Sequence, residues 1–301
     1  MKQLLMIVNP TAGEGGQEDF VKQVKKHCQE KDIQLHLHWT NGENDLEQVK
    51  AILQDKTFDA VFTSGGDGTF TQFAKLIAAH KLPIGIIPQG TSNGLATDLG
   101  IPANPIQAFT ELVSSNNRIK IDQVLINDKL LLYHIGDIGA NAKLIHSFES
   151  SEDSGYAAYS KHVFKELQNK EPFEYSIDTE NENFSGSAQM IAICNARRFG
   201  SGIALNRISH PADGKFELVI FREIDLQTII ESSLASFWEG FLEDNGKEKR
   251  VIQTTQARLK LNPPSLLQID GEVQNKTAEI KLELKPSTLE LICNEDCPYL
   301  D

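Results

Sequence analysis

Short apolar runs alternate with amphipathic stretches through the first third of the chain. Leu4 to Val8 is a strand-length apolar run, after which Phe20, Val21, Val24, His27 and Cys28 recur at the spacing of one helix face. The alternation repeats. Ile33 to Trp39 predicts a strand, and Leu46, Val49, Ile52 and Leu53 a helix. Ala60 to Thr63 predicts a third strand and Phe70, Phe73 and Ile77 its helix. Leu82 to Ile87 predicts a fourth, followed by a helix carrying Ile106, Phe109 and Val113. This order predicts an α/β N-terminal domain with a parallel, helix-covered sheet whose loops line its carboxyl edge.

After about Arg118 strands dominate. They are expected at Ile119–Ile126, Leu130–Ile135, Phe173–Asp178, Ala188–Cys194, Phe216–Phe221, Ala257–Leu261, Leu266–Ile269, Ala278–Leu284 and Leu289–Cys293. Only two helical patterns interrupt them, one near 156–168 and one carrying Leu226, Ile229, Ile230, Leu234 and Phe237. Strands with turn signals between them predict a mostly β C-terminal domain, a sandwich or barrel. The length agrees with about two domains.

Composition narrows the function classes. With 29 Lys and Arg against 42 Asp and Glu, the formal net charge is −13. That argues against nucleic-acid binding, which draws its affinity from cations neutralising phosphates. It also argues against broad adhesion to anionic membranes. Four cysteines are too few for a disulfide-built fold; Cys28 and Cys194 read as buried thiols, and Cys293 and Cys297 form a CxxxC pair without further zinc ligands. No run approaches the roughly 20 apolar residues of a membrane span. A cytoplasmic protein is expected.

The chemistry concentrates in three Gly-rich loops, each directly after a predicted strand: Asn9-Pro10-Thr11-Ala12-Gly13, Gly65-Gly66-Asp67-Gly68-Thr69, and Pro88-Gln89-Gly90-Thr91-Ser92-Asn93. Glycine lets backbone N–H groups approach an anion, and the following helix N-terminus favours negative charge. Thr69 and Thr91 can donate to phosphate oxygens. Asp67 would repel a bare phosphate, so its presence points to a metal–nucleotide complex. The spacing fits neither GxxxxGK[ST] nor GxGxxG. Further along, Asp270-Gly271-Glu272 reads as a hairpin turn from sequence alone. His36 and His38, alternating on a strand, read as solvent-facing positions. Arg197-Arg198 is balanced between an anion contact and a plain solvated loop. Glu149, Glu152 and Asp153 read as an exposed acidic run.

NPTAG at 9–13, SGGDGT at 64–69 and PQGTSNGLA at 88–96 resemble the diacylglycerol kinase catalytic-domain family, the lipid kinases that include sphingosine and ceramide kinases. Ile121-Asp122, His210-Pro211-Ala212-Asp213-Gly214 and Asp270-Gly271-Glu272 extend the resemblance over nearly the whole chain. GGDGT also occurs in NAD kinases; the PxGTxN loop and the late DGE narrow the likeness to lipid kinases. The resemblance implies an ATP-binding domain of residues 1–120 with about 287–301, and a β-rich lipid-binding domain of 121–286. It implies an ATP- and Mg²⁺-dependent kinase acting on a hydroxyl of a diacylglycerol-like lipid in the cleft between domains. The nucleotide set would be Asn9, Pro10, Thr11, Ala12, Gly13, Thr40, Gly65, Gly66, Asp67, Gly68, Thr69, Phe70, Thr71, Thr91 and Asp122. Thr40 enters by position alone. A second magnesium site would use the Asp213 side chain with main-chain oxygens of His210 and Lys215, and Glu272 would be the general base. Transient contact with a membrane surface and a homodimer are further expectations. One departure stands out: many members carry Asp after the Asn of PxGTxN, and this chain has Gly94. An NAD kinase-like enzyme or a non-catalytic nucleotide or lipid binder are the alternatives.

Overall fold

The structure, a computed structural model, describes residues 1–13, 16–139, 172–198, 205–223 and 249–300. Both interrupting helical patterns and the acidic run at 149–153 lie outside these residues. The chain divides into two units: Met1–Asp122 with Arg198 and the segment from Pro286 onward form one, and the rest of the described residues between Gln123 and Lys285 form the other.

The first unit is built on β1 (Gln3–Val8), β2 (Gln34–Trp39), β3 (Ala60–Gly65) and β4 (Ile84–Pro88), paired in parallel in the order β2-β1-β3-β4. Helices α1 (Gln17–Glu30), α2 (Asp45–Asp55) and α3 (Asp67–Ala79) connect successive strands, and α4 (Gly94–Asp98) and α5 (Pro105–Ser114) follow β4. Leu4 to Val8 are all fully buried, which is why β1 is continuously apolar: a central parallel strand is covered on both faces. Phe62 of β3 packs edge-on against Phe109 of α5, and Phe109 against His27 of α1, so these two helices cover the Phe62 face. Register pairs Met6 with both Phe62 and Leu37, which puts His38 on the opposite face. There it meets α2. His38 is 7% exposed, its Nε2 3.4 Å from Asp45 Oδ1, which corrects the solvent-facing expectation for that residue.

In the second unit two sheets enclose a common core. One runs β12 (Lys249–Thr254), β11 (Phe216–Phe221), β10 (Met190–Cys194), β7 (Ile135–Gly139), β14 (Leu267–Ile269) and β15 (Glu272–Val273). The other contains β16 (Thr277–Ile292), β13 (Gln256–Ser265), β8 (Phe173–Thr179) and β9 (Asn183–Ala188), with β5 (Arg118–Ile126) and β6 (Leu130–Leu132) alongside. Ile191, Phe216, Leu218 and Leu267 from the first sheet share a buried cluster with Phe173, Ile177, Leu259 and Ile280 from the second, the inward half of each alternating strand. The expected strand at 130–135 is broken into β6 and β7. The two expected at 278–284 and 289–293 are one strand, β16, whose far end pairs with β4 through Leu291 and Ile84. All four cysteines are buried and free; burial pushes the Cys28 thiol up to about 11.

Candidate functional site

The three Gly-rich loops meet at the carboxyl edge of the first unit's sheet. Asn9 leaves β1 with its N–H on Ser64 O (2.9 Å), and its side-chain Oδ1 accepts from Thr11 N (3.0 Å) and Thr11 Oγ1 (2.8 Å). Its Nδ2 donates to Thr69 Oγ1 at 3.2 Å, tying the first loop to the second. Gln89 of the third loop donates N–H to Gly65 O (2.9 Å) and Nε2 to Ser64 Oγ (2.5 Å). Asn93 closes that loop on itself, accepting from Gly90 N and donating to Gly90 O, both at 2.7 Å.

Packing among these loops explains why they are glycine. A Cβ on Gly66 would lie 3.2 Å from Gly90 Cα, and one on Gly13, at φ +69°, would lie 2.7 Å from Gln89 O. Gly13→Ala therefore meets left-handed strain and a backbone clash together. It is expected to cost about 1–3 kcal/mol, read as a lower urea midpoint. Gly68→Ala, inside α3 where a Cβ meets nothing within 4 Å, should leave that midpoint unchanged or raise it slightly.

Asp67 opens α3, and its carboxylate ties the second loop to the first turn of α4. Oδ2 accepts from Gly94 N at 2.9 Å and Oδ1 from Leu95 N at 3.3 Å. Since an ionised carboxylate has about four acceptor sites, this leaves roughly two for another donor or a metal-bound water. The oxygen-rich character of the site, with a carboxylate beside hydroxyls and amides, suits Mg²⁺ held mainly through water and phosphate. Thr91 is exposed and Thr40 half-buried, its N–H on Val8 O at 2.9 Å, so Thr40 directly follows the strand neighbouring Asn9. Phe70 sits in the core, 3% exposed, which restricts any ligand contact to its backbone. Thr71 is half-buried on α3. Asp122 is buried and accepts from Ser287 N at 2.6 Å, joining β5 to the C-terminal end of β16.

In the second unit, Asp270 (φ 48°) and Gly271 (φ 94°) form a two-residue turn between Ile269 and its register partner Glu272. Two positive φ values are the hairpin geometry that Asp-Gly favours. The Asp270 carboxylate accepts three backbone N–H groups, from Tyr133 (2.8 Å), His134 (2.9 Å) and Ile135 (3.2 Å). That bend is what breaks β6 from β7. Burial, with the Asp270 carboxylate second, holds the Tyr133 phenol above its usual value. Glu272 is exposed at the end of this anchored turn. The 210–215 segment is a turn in which Asp213 N donates to His210 O (3.3 Å) and Lys215 N to Asp213 Oδ1 (3.0 Å). Its carboxylate and two carbonyls are all oxygen donors, as a hard cation requires. No group of three or more His, Cys, Asp or Glu suited to a metal occurs among the described residues.

Two features escaped sequence reading. Glu217 is fully buried in the apolar strand β11, hydrogen-bonded by Ser209 Oγ and by Gln253 Nε2 (2.8 Å); burial holds its carboxyl above the usual range. A lone Glu inside FELVIF was the available signal. The contact from Asp67 to α4 had none. Arg197 donates Nε to Ser209 O at 2.9 Å, while Arg198 is exposed.

Fold and loops together define an α/β unit with three glycine loops at its sheet edge, joined in sequence to a β-sandwich unit. Residues 3–125 match the diacylglycerol kinase catalytic domain, and 138–293 match the YegS C-terminal NAD kinase beta sandwich-like domain. The chain belongs to the diacylglycerol kinase catalytic-domain family. A Staphylococcus carnosus protein named "Putative lipid kinase" is 29% identical over 297 residues, covering 92% of this chain and 93% of that one. A diacylglycerol kinase crystal structure from Bacillus anthracis superposes with a TM-score of 0.75 at 19% identity, covering 98% of each chain. An Archaeoglobus fulgidus NAD kinase, solved with ATP, gives a TM-score of 0.53 at 14% identity over 97% of this chain and 94% of that one. No described helix is long and apolar enough to cross a membrane.

Proposed function

We propose that the protein is an ATP- and Mg²⁺-dependent lipid kinase transferring the γ-phosphoryl group to a hydroxyl of a diacylglycerol-like lipid. The observation that carries the reading is Asp67, a carboxylate fixed by two backbone N–H groups where three closely packed glycine loops meet. Such a carboxylate favours nucleotide phosphates only when a divalent cation lies between, which is the setting of phosphoryl transfer. Asn9 to Gly13, Gly65 to Thr71 and Thr91 hold the nucleotide, with Thr40 at its flank and Asp122 orienting water around the phosphates. Glu272 accepts the proton of the lipid hydroxyl. Asp213, with the carbonyls of His210 and Lys215, holds a second, structural Mg²⁺. The relatives' names support the lipid class, and the net charge of −13 favours brief contact with the bilayer over adhesion. A homodimer belongs to the same reading.

The test is transfer of label from γ-labelled ATP to diacylglycerol, monoacylglycerol, sphingoid base, ceramide and phosphatidylglycerol in micelles, with NAD as a soluble acceptor. Label in one lipid, lost with EDTA, is the expected result. Label in NAD alone would assign the soluble-acceptor chemistry instead. Nucleotide binding without transfer to any acceptor would leave a binding protein.

A further inference from the structure

The third glycine loop runs directly into α4, a helix of five residues. A helix this short has no independent stability, so its placement is set by what holds its two ends. At its first turn, the N–H groups of Gly94 and Leu95 meet the Asp67 carboxylate. At its last residue, Asp98 is a carboxylate only 1% exposed, a costly burial without hydrogen bonds. Tyr299, itself buried, donates its Oη to Asp98 Oδ2 at 2.9 Å, and Arg198 N approaches the same oxygen at 3.4 Å. Tyr299 lies on the tail that leaves β16.

That tail is anchored along its length. Asn294 Nδ2 donates to Gly100 O and to Glu111 Oε2, both at 3.1 Å. Gly100, just beyond α4 at φ +71°, has no room for a Cβ, which would lie 2.9 Å from Asp296 O. Cys293 and Cys297 are buried between these contacts. The tail root, Leu291, pairs with Ile84 of β4, the strand that feeds the third loop. Tail, α4 and Asp67 thus form one continuous set of hydrogen bonds inside the first unit.

We propose that Tyr299 is a positioning residue: through Asp98 it sets α4, and α4 sets the Asp67 carboxylate toward the metal–nucleotide complex. The inference rests on the proposed role of Asp67, but the relay itself can be measured without nucleotide. Tyr299→Phe removes one hydroxyl at nearly constant volume. Amide hydrogen exchange on the full chain should quicken at Gly94 and Leu95 by about three- to tenfold, the equilibrium equivalent of one hydrogen bond, with α1 unchanged.

Calorimetric titration supplies the second readout. MgATP affinity should fall by a similar factor, while ATP in EDTA binds unchanged or tighter, because a displaced carboxylate repels bare phosphate less. A merely structural role would weaken both forms alike. Asp98→Asn, which keeps an amide oxygen as acceptor for Tyr299, should retain most of the wild-type behaviour, whereas Asp98→Ala, which removes the acceptor from the other side of the bond, should show the same two changes as the Phe variant and replaces it if that variant folds poorly. Unchanged exchange at Gly94 and Leu95, or equal weakening of both ATP forms, overturns the relay. Wild-type protein that binds no ATP at all overturns the kinase reading instead, and the exchange result then decides the relay alone.

Discussion

Glu272→Ala is expected to lower lipid phosphorylation by about 10²- to 10⁴-fold, the range for removing a positioned general base. The melting temperature and ATP affinity should stay at wild-type values. Glu272 is exposed, on a two-residue strand, and surface truncations of this kind stay within about 0.5 kcal/mol. What fixes the residue is its neighbour Asp270, whose three accepted N–H groups lock the turn. The two positions should therefore separate cleanly. Asp270→Ala leaves three backbone donors without their acceptor and should lower both stability and turnover, whereas Glu272→Ala should lower turnover alone. Single-turnover transfer of labelled phosphate, set beside a thermal melt of each variant, makes the comparison. Wild-type transfer by well-folded Glu272→Ala protein would remove Glu272 from the chemistry.

The sequence carried the loops because their constraint is local. Gly13, Gly66 and Gly90 are glycine where any Cβ would crowd a neighbouring loop's backbone, and each loop follows an apolar run that only a buried strand explains. The Asp-Gly turn was equally legible: Asp270 and Gly271 form the hairpin their identities favour, and that turn delivers Glu272.

Polar and long-range features stayed hidden. Strands β9 and β12, Asn183–Ala188 and Lys249–Thr254, sit at sheet edges, where polar residues replace the apolar alternation that marks inner strands. Strand β16 read as two because Lys285-Pro286-Ser287 looks like a break, yet Ser287 takes φ 47° and donates to Asp122 while the strand continues. Helix α4 is too short to show a period. His38 looked exposed because alternation marks the face of a strand, not what covers it; Asp45, seven residues on, does so.

Asp67→Asn should cost turnover about 10²- to 10³-fold, the scale for deleting one preorganised electrostatic partner, and should invert the metal dependence of ATP binding. The wild-type carboxylate already receives Gly94 N and Leu95 N. An amide keeps one acceptor oxygen but turns an NH₂ toward the other N–H, so α4 must shift or lose a bond. Removing the charge acts in two directions. It takes away the partner for a metal-bound water, so MgATP should bind less tightly. It also removes a repulsion of about 4 kcal/mol at most, for unit charges 4 Å apart at an effective dielectric of 20, so ATP in EDTA should bind more tightly. Gly94 makes the contrast sharp, since this chain has no second carboxylate at the position after Asn93 to replace the lost charge. Calorimetric titration of wild type and Asp67→Asn, each with Mg²⁺ and with EDTA, gives four affinities. A crossover in their order is the signature of a carboxylate acting through a metal, whereas parallel loss in both conditions would reduce Asp67 to a cap for α4.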